Sequence, residues 1–209
     1  MIRQDINQVS SETSQQNYLR VYLVEPGATC FDDQGRIAGN LDLPLSEKGL
    51  EQVRVLRNEI TEVAVTALYH SPSLSAELTA LAIEPTLKIR AKCSSDLRNL
   101  DFGIWQGMCW EEIRERFPKV WRQWVDDPTE VTLPSGETVA ALLERAETFL
   151  EDLVRRYGNE SVCVIAPFPI SAILSGFMRG IAKPRLTKLP EGGTIEVIDM
   201  DHRSRWGKG

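Results

Sequence analysis

From Leu19 onward, short apolar runs alternate with longer stretches in which apolar residues recur every three or four positions. Leu19-Arg20-Val21-Tyr22-Leu23-Val24 reads as a buried strand. A helix is expected from Ser46 to about Ile60, with Leu50, Val53, Leu56 and Ile60 on one face. A strand over Thr66–Tyr69 ending near His70 and a helix from Ser73 to Ile83 follow. The middle of the chain predicts two short helices, Trp110–Phe117 and Lys119–Val125, stopped by Pro118 and Pro128. The strongest helical pattern runs from Glu137 to Tyr157, with Val139, Leu142, Ala146, Phe149, Leu150 and Leu153 in one stripe, Ser135 as its cap and Gly158 at its end. Val162–Ala166 reads as a buried strand, Pro169 as the first residue of a helix to Gly180, and Thr194–Met200 as a final alternating strand. Strands alternating with helices predict an α/β chain: one three-layer α/β/α domain around a mostly parallel central sheet.

That domain is expected over residues 19–200, with a helical insertion at about 105–130. Residues 1–18 are polar, rich in Gln, Ser and Asn, and predict a flexible extension. Residues 201–209 form a basic tail, with Arg203, Arg205 and Lys208 around Trp206. At 209 residues the chain is long enough for a sheet buried on both faces.

A net charge of −6 argues against broad attraction to nucleic acid or anionic lipid. No apolar run is long enough to cross a bilayer, and the first residues lack the apolar core of a secretion signal, so a cytoplasmic location is expected. Cys30, Cys93, Cys109 and Cys163 show no metal-binding spacing and read as reduced thiols, Cys163 in a buried strand. Neither a metal nor another cofactor is expected. The tryptophans at 105, 110, 121 and 124 could form a recognition surface, although Trp121 and Trp124, three apart, fit one packed face better.

The chemistry lies at two strand ends. The first strand runs into Glu25-Pro26-Gly27-Ala28-Thr29, and the later one into Pro167-Phe168-Pro169-Ile170-Ser171. Between them stand Asp42-Leu43-Pro44-Leu45-Ser46-Glu47-Lys48-Gly49, then Ser71-Pro72-Ser73-Leu74-Ser75-Ala76-Glu77-Leu78-Thr79-Ala80, then Leu97-Arg98-Asn99-Leu100-Asp101-Phe102-Gly103-Ile104-Trp105 and Pro134-Ser135-Gly136-Glu137-Thr138. In this order the blocks resemble the phosphoglycerate mutase-like histidine phosphatases. The resemblance implies that family's α/β fold. It also implies two-step phosphoryl transfer through a histidine, with arginines and a second histidine around the phosphoryl oxygens and a carboxylic acid protonating the leaving group.

Carried over by position, the nucleophile falls on Pro26, its neighbouring arginine on Glu25, a second arginine on Ser75, the acid on Asn99 and the second histidine on Pro167. Proline supplies no nucleophile and asparagine no proton. An ionised Glu25, deepened by Asp32, makes the pocket acidic: at ~4 Å and an effective dielectric of ~20, a unit like-charge pair repels by about 4 kcal/mol. Phe168 and Pro169 fill the glycine turn that lets backbone N–H groups reach a phosphate.

On these grounds no residue is expected to be catalytic, and the sequence predicts an inactive family member, a pseudo-phosphatase acting as a binding or scaffolding module for an unidentified protein or small molecule. Two alternatives stand beside it. One is small-molecule binding in the altered acidic pocket; the other is a phosphatase or phosphoglycerate mutase-like enzyme with chemistry relocated to His70. The expected pocket residues are Glu25, Pro26, Gly27, Thr29, Asp32, His70, Ser75, Asn99, Pro167 and Phe168. The oligomeric state is left open.

Overall fold

The computed structural model describes residues 18–181, 186, 187 and 189–201. The expected extension at 1–17 and the basic tail from His202 onward lie outside these residues.

The first apolar run forms β1 (Leu19–Val24), and α1 (Cys30–Asp33) follows it directly. Then come α2 (Glu47–Glu59), β2 (Ala67–His70), α3 (Leu74–Leu87) and β3 (Ala91–Cys93). The middle of the chain carries α4 (Trp110–Arg116) and α5 (Pro118–Asp126). The chain continues through α6 (Val139–Tyr157), β4 (Ser161–Ile165), α7 (Ile170–Met178) and β5 (Ile195–Met200). The sheet order is β3-β2-β4-β1-β5. All neighbours are parallel except β1 and β5, which pair antiparallel from Leu19 opposite Met200 to Val24 opposite Ile195.

Both faces of the sheet are covered, giving the α/β layering with a five-stranded, mostly parallel sheet. Leu56 of α2 and Ala76, Ala80 and Ile83 of α3 pack with Val24, Leu68, Cys163 and Ile165 on one face. On the other, Phe149, Leu150 and Leu153 of α6 and Ile170, Ile173 and Leu174 of α7 pack with Val21, Leu23, Val162 and Val164. The residues alternate because successive side chains of a strand point to opposite faces. Among the described residues no helix is long and apolar enough to cross a membrane.

Several local expectations differ from the structure. Leu50 is 51% exposed. The buried stripe of α2 is Gly49, Val53 and Leu56, since α2 turns its small Gly49 toward the backbone at Ala28. The cap of α6 is Thr138, whose Oγ1 accepts from the Ala141 N–H at 3.3 Å; Ser135 sits upstream in a left-handed turn with φ 57°. Pro118 opens α5, where its missing N–H costs nothing. Pro169 precedes α7 as its N-cap residue. The tryptophans pack together: Trp105 and Trp124 are buried with ring centroids 5.7 Å apart, and Trp110 lies 5.5 Å from Trp121.

Candidate active site

The C-terminal ends of β1 and β4 lie side by side, since Val24 pairs with Ile165, so the segments that follow both strands meet in one crevice. This is where open α/β sheets commonly place ligands. Glu25, Pro26, Gly27, Thr29, Asp32, Ser75, Asn99, Pro167 and Phe168 all line a cavity of about 50 Å³ there.

His70 is placed elsewhere. It ends β2 opposite Ile165, is buried, and bonds through Nδ1 to the Ser71 carbonyl at 2.8 Å; it does not line the crevice. His70 is thus absent from the lining of the cavity, where it was expected. Cys30 is exposed on α1.

The backbone N–H groups after β1 are already occupied. Gly27 N–H donates to Thr79 Oγ1 at 3.1 Å, Ala28 N–H to Gln52 Oε1 at 2.9 Å, and Thr29 N–H to Asp32 Oδ2 at 2.6 Å. Thr29 Oγ1 donates to the same Asp32 oxygen at 2.7 Å. Asp32 therefore serves as a capping carboxylate for α1 as well as a wall of the cavity. Gly193 N–H donates to the Pro26 carbonyl at 2.9 Å, which brings the segment before β5 over the crevice.

Asn99 is buried and its amide is fully used. Nδ2 donates to the carbonyls of Gly39 at 2.8 Å and Phe168 at 2.7 Å, and Oδ1 accepts from Ile170 N–H at 3.4 Å. It ties three segments of the cavity wall together. As a result the start of α7 has no spare N–H at Ile170 for an anion.

Glu25 departs most from its sequence-based reading. It is half-buried as a whole residue, and its carboxyl accepts a short bond from Ser171 Oγ. Removal from water pushes this carboxyl up from 4.5 to about 8. The bond from Ser171 pulls against that shift, Asp32 adds to it, a bond from the Phe168 backbone opposes it, and Glu196 adds a little more. Glu25 is thus mostly protonated at pH 7, and the expectation of a phosphate-repelling charge at this one position is corrected: here the wall presents a neutral acid.

Two site residues were missed from the sequence. Ser171 is the partner of Glu25; its signal was a hydroxyl at the otherwise apolar start of α7. Ser73 lines the cavity, and its Oγ is buried with no hydrogen-bond partner among the described residues. Nothing in the sequence distinguished Ser73 from the neighbouring Ser71 and Ser75. The described lining residues include no Lys, Arg or His, and among the described residues no group of three His, Cys, Asp or Glu side chains could hold a metal ion.

The chain is 32% identical over 187 residues to phosphoserine phosphatase 1 of Hydrogenobacter thermophilus, covering 88% of each protein. Among solved structures it matches the α-ribazole phosphatase of Shigella flexneri with a TM-score of 0.74 and 20% identity, covering 88% of this chain and 92% of that one. It also matches a mycobacterial glucosyl-3-phosphoglycerate phosphatase with a TM-score of 0.68 and 22% identity, covering 77% of this chain and 79% of the other. These relatives are named as phosphatases, which overturns the expectation of a non-catalytic binding or scaffolding module. The profile of the histidine phosphatase superfamily (branch 1) matches residues 21–206, and the chain belongs to that family.

Proposed function

We propose that this chain hydrolyses the phosphomonoester of a small metabolite in the crevice at the ends of β1 and β4, by direct attack of water. The observation that carries this reading is the neutral Glu25 carboxyl on the cavity wall, held by Ser171. A carboxylic acid that stays protonated at neutral pH can give its proton to a leaving alkoxide. Ser73 Oγ, buried without a partner, supplies a hydrogen bond that a phosphoryl oxygen would complete.

Pro26 and Pro167 offer no nitrogen to carry a phosphoryl group, so the nucleophile is water. Its oxygen bonds to phosphorus as the bond to the ester oxygen breaks. Glu25 protonates the departing oxygen, and the carboxylate of Asp32, which also lines the cavity, takes the proton that water loses. Glu25 also borders a second cavity of about 510 Å³ lined by Ser175, Thr194 and Glu196, from which it is reprotonated. With no cationic side chain among the described lining residues, the site favours the phosphate monoanion over the dianion. The names of the relatives support phosphomonoesters of small metabolites, phosphoserine among them, as substrates.

The test is phosphate release from O-phosphoserine and 3-phosphoglycerate as a function of pH. The rate is expected to rise as pH falls through about 6, where the phosphomonoester dianion takes up a proton and becomes the monoanion. Glu25→Gln is expected to lower it by about 10²-fold or more. Release that is equal in the wild type and Glu25→Gln, or absent in both, overturns the proposal.

A second reading is favoured by the occupied N–H groups and the lack of a cationic side chain among the described lining residues: the same cavity binds a neutral, hydroxyl-bearing metabolite. It predicts thermal stabilisation by serine or glycerol that exceeds the effect of their phosphorylated forms.

A further inference from the structure

A separate cavity of about 300 Å³ lies on the α6 face of the sheet, beside the edge strand β3, and shares no lining residue with the crevice. Register creates it. Tyr69 of β2 pairs with Lys92 of β3, so both side chains point to the same face. Phe149 of α6 stands edge-on against the Tyr69 ring at 5.7 Å and 83°, and with Leu153 completes an apolar floor. Tyr69 is fixed further by its hydroxyl, 3.2 Å from that of Tyr157.

Charges of both signs ring this floor. Arg156 and Asp152 already pair at 3.3 Å, and Asp152 is held more closely by Arg155 at 2.6 Å. Lys92 and Asp96 are different. The Lys92 ammonium lies 5.7 Å from the Tyr69 ring centroid, and among the described residues neither it nor Asp96 has an ion-pair partner within 4.0 Å. The cavity therefore offers one unpaired cation and one unpaired carboxylate, too far apart to satisfy each other, over an aromatic floor. Its volume is at the lower end of small-ligand sites.

We propose that this cavity binds a free amino acid with an apolar side chain, as the zwitterion. The ligand carboxylate meets Lys92, with Arg156 beside it; the ligand ammonium meets Asp96; the side chain lies on Tyr69, Phe149 and Leu153. A simple organic anion would leave Asp96 facing a like charge, and a simple amine would leave Lys92 and Arg156 unanswered.

The probe is L-phenylalanine, titrated into the full chain and followed by backbone amide NMR. Saturable shifts are expected around Cys93, Ser94 and Leu153 and not around Gly27 or Phe168. Phenylacetate and phenethylamine, each lacking one charge, are expected to bind roughly tenfold more weakly, as are Lys92→Ala and Asp96→Ala toward L-phenylalanine. Both positions are solvent-accessible, so the melting temperatures of the variants should match the parent. Phenylacetate binding as tightly as L-phenylalanine overturns the zwitterion assignment. Shifts confined to the crevice, variants that bind as tightly as the parent, or no saturable change up to about 10 mM overturn the site itself.

Discussion

Replacing Glu25 with Gln should remove a pH dependence from the stability of this protein. Glutamine has the shape of the protonated acid and can still accept from Ser171 Oγ, so the variant imitates the form that the folded chain prefers. The sign follows from the shift. The folded carboxyl is raised from 4.5 to about 8, so between those values the native state holds a proton that the unfolded state has lost. Native stability from this group is fully present below 4.5, declines as pH rises, and is gone above about 8. At about 1.4 kcal/mol per pH unit the ceiling is roughly 5 kcal/mol. Local relaxation and water entry lower this, and about 2–3 kcal/mol is expected. Urea denaturation followed by the fluorescence of buried Trp105 and Trp124, at intervals from pH 5 to pH 9, provides the comparison. Near pH 5 the two proteins should unfold at similar urea concentrations, and at pH 9 the variant should be the more stable. Every other titrating group cancels in the difference. A difference that is flat across this range refutes a buried neutral Glu25.

Two further variants test the walls of the crevice. Asn99→Ala removes the donor to Gly39 and Phe168 and the acceptor of Ile170 N–H, and should cost about 2–3 kcal/mol in the same denaturation assay; an unchanged midpoint contradicts the clamp. Gly103→Ala should be more damaging than a surface Gly→Ala, since φ is +54° and the added Cβ would sit 2.1 Å from the Pro134 carbonyl oxygen. A melting temperature within a degree or two of the parent contradicts the close approach of that turn to the start of α6.

Much of the fold was legible because burial on both faces leaves strong signals. β1 was read with its observed bounds, and α6 differed only in its first turn, where Thr138 and not Ser135 supplies the cap. The three-residue β3 was not read at all: an edge strand with Lys92 and Cys93 exposed carries no apolar run to detect. Leu50 misled because a helix stripe can be rotated by one residue, and the close approach of Gly49 to Ala28 decided the rotation. At the site, position was legible and chemistry was not. The strand ends named the segments that converge, but a sequence shows Glu25 as a charge, while its protonation depends on the packing around it. His70 shows the converse: its place at a strand end was legible, but its ring bonds to the Ser71 carbonyl and it does not line the cavity.

The claim that water attacks phosphorus directly in this crevice is tested most squarely by the stereochemical course of hydrolysis of a phosphorothioate monoester made chiral with two oxygen isotopes, carried out in water of the third isotope. A single displacement inverts the configuration at phosphorus, whereas transfer through a covalent phosphoryl enzyme inverts twice and retains it. With Pro26 and Pro167 at the strand ends, inversion is predicted. Retention, or the absence of any turnover dependent on Glu25, would contradict the account.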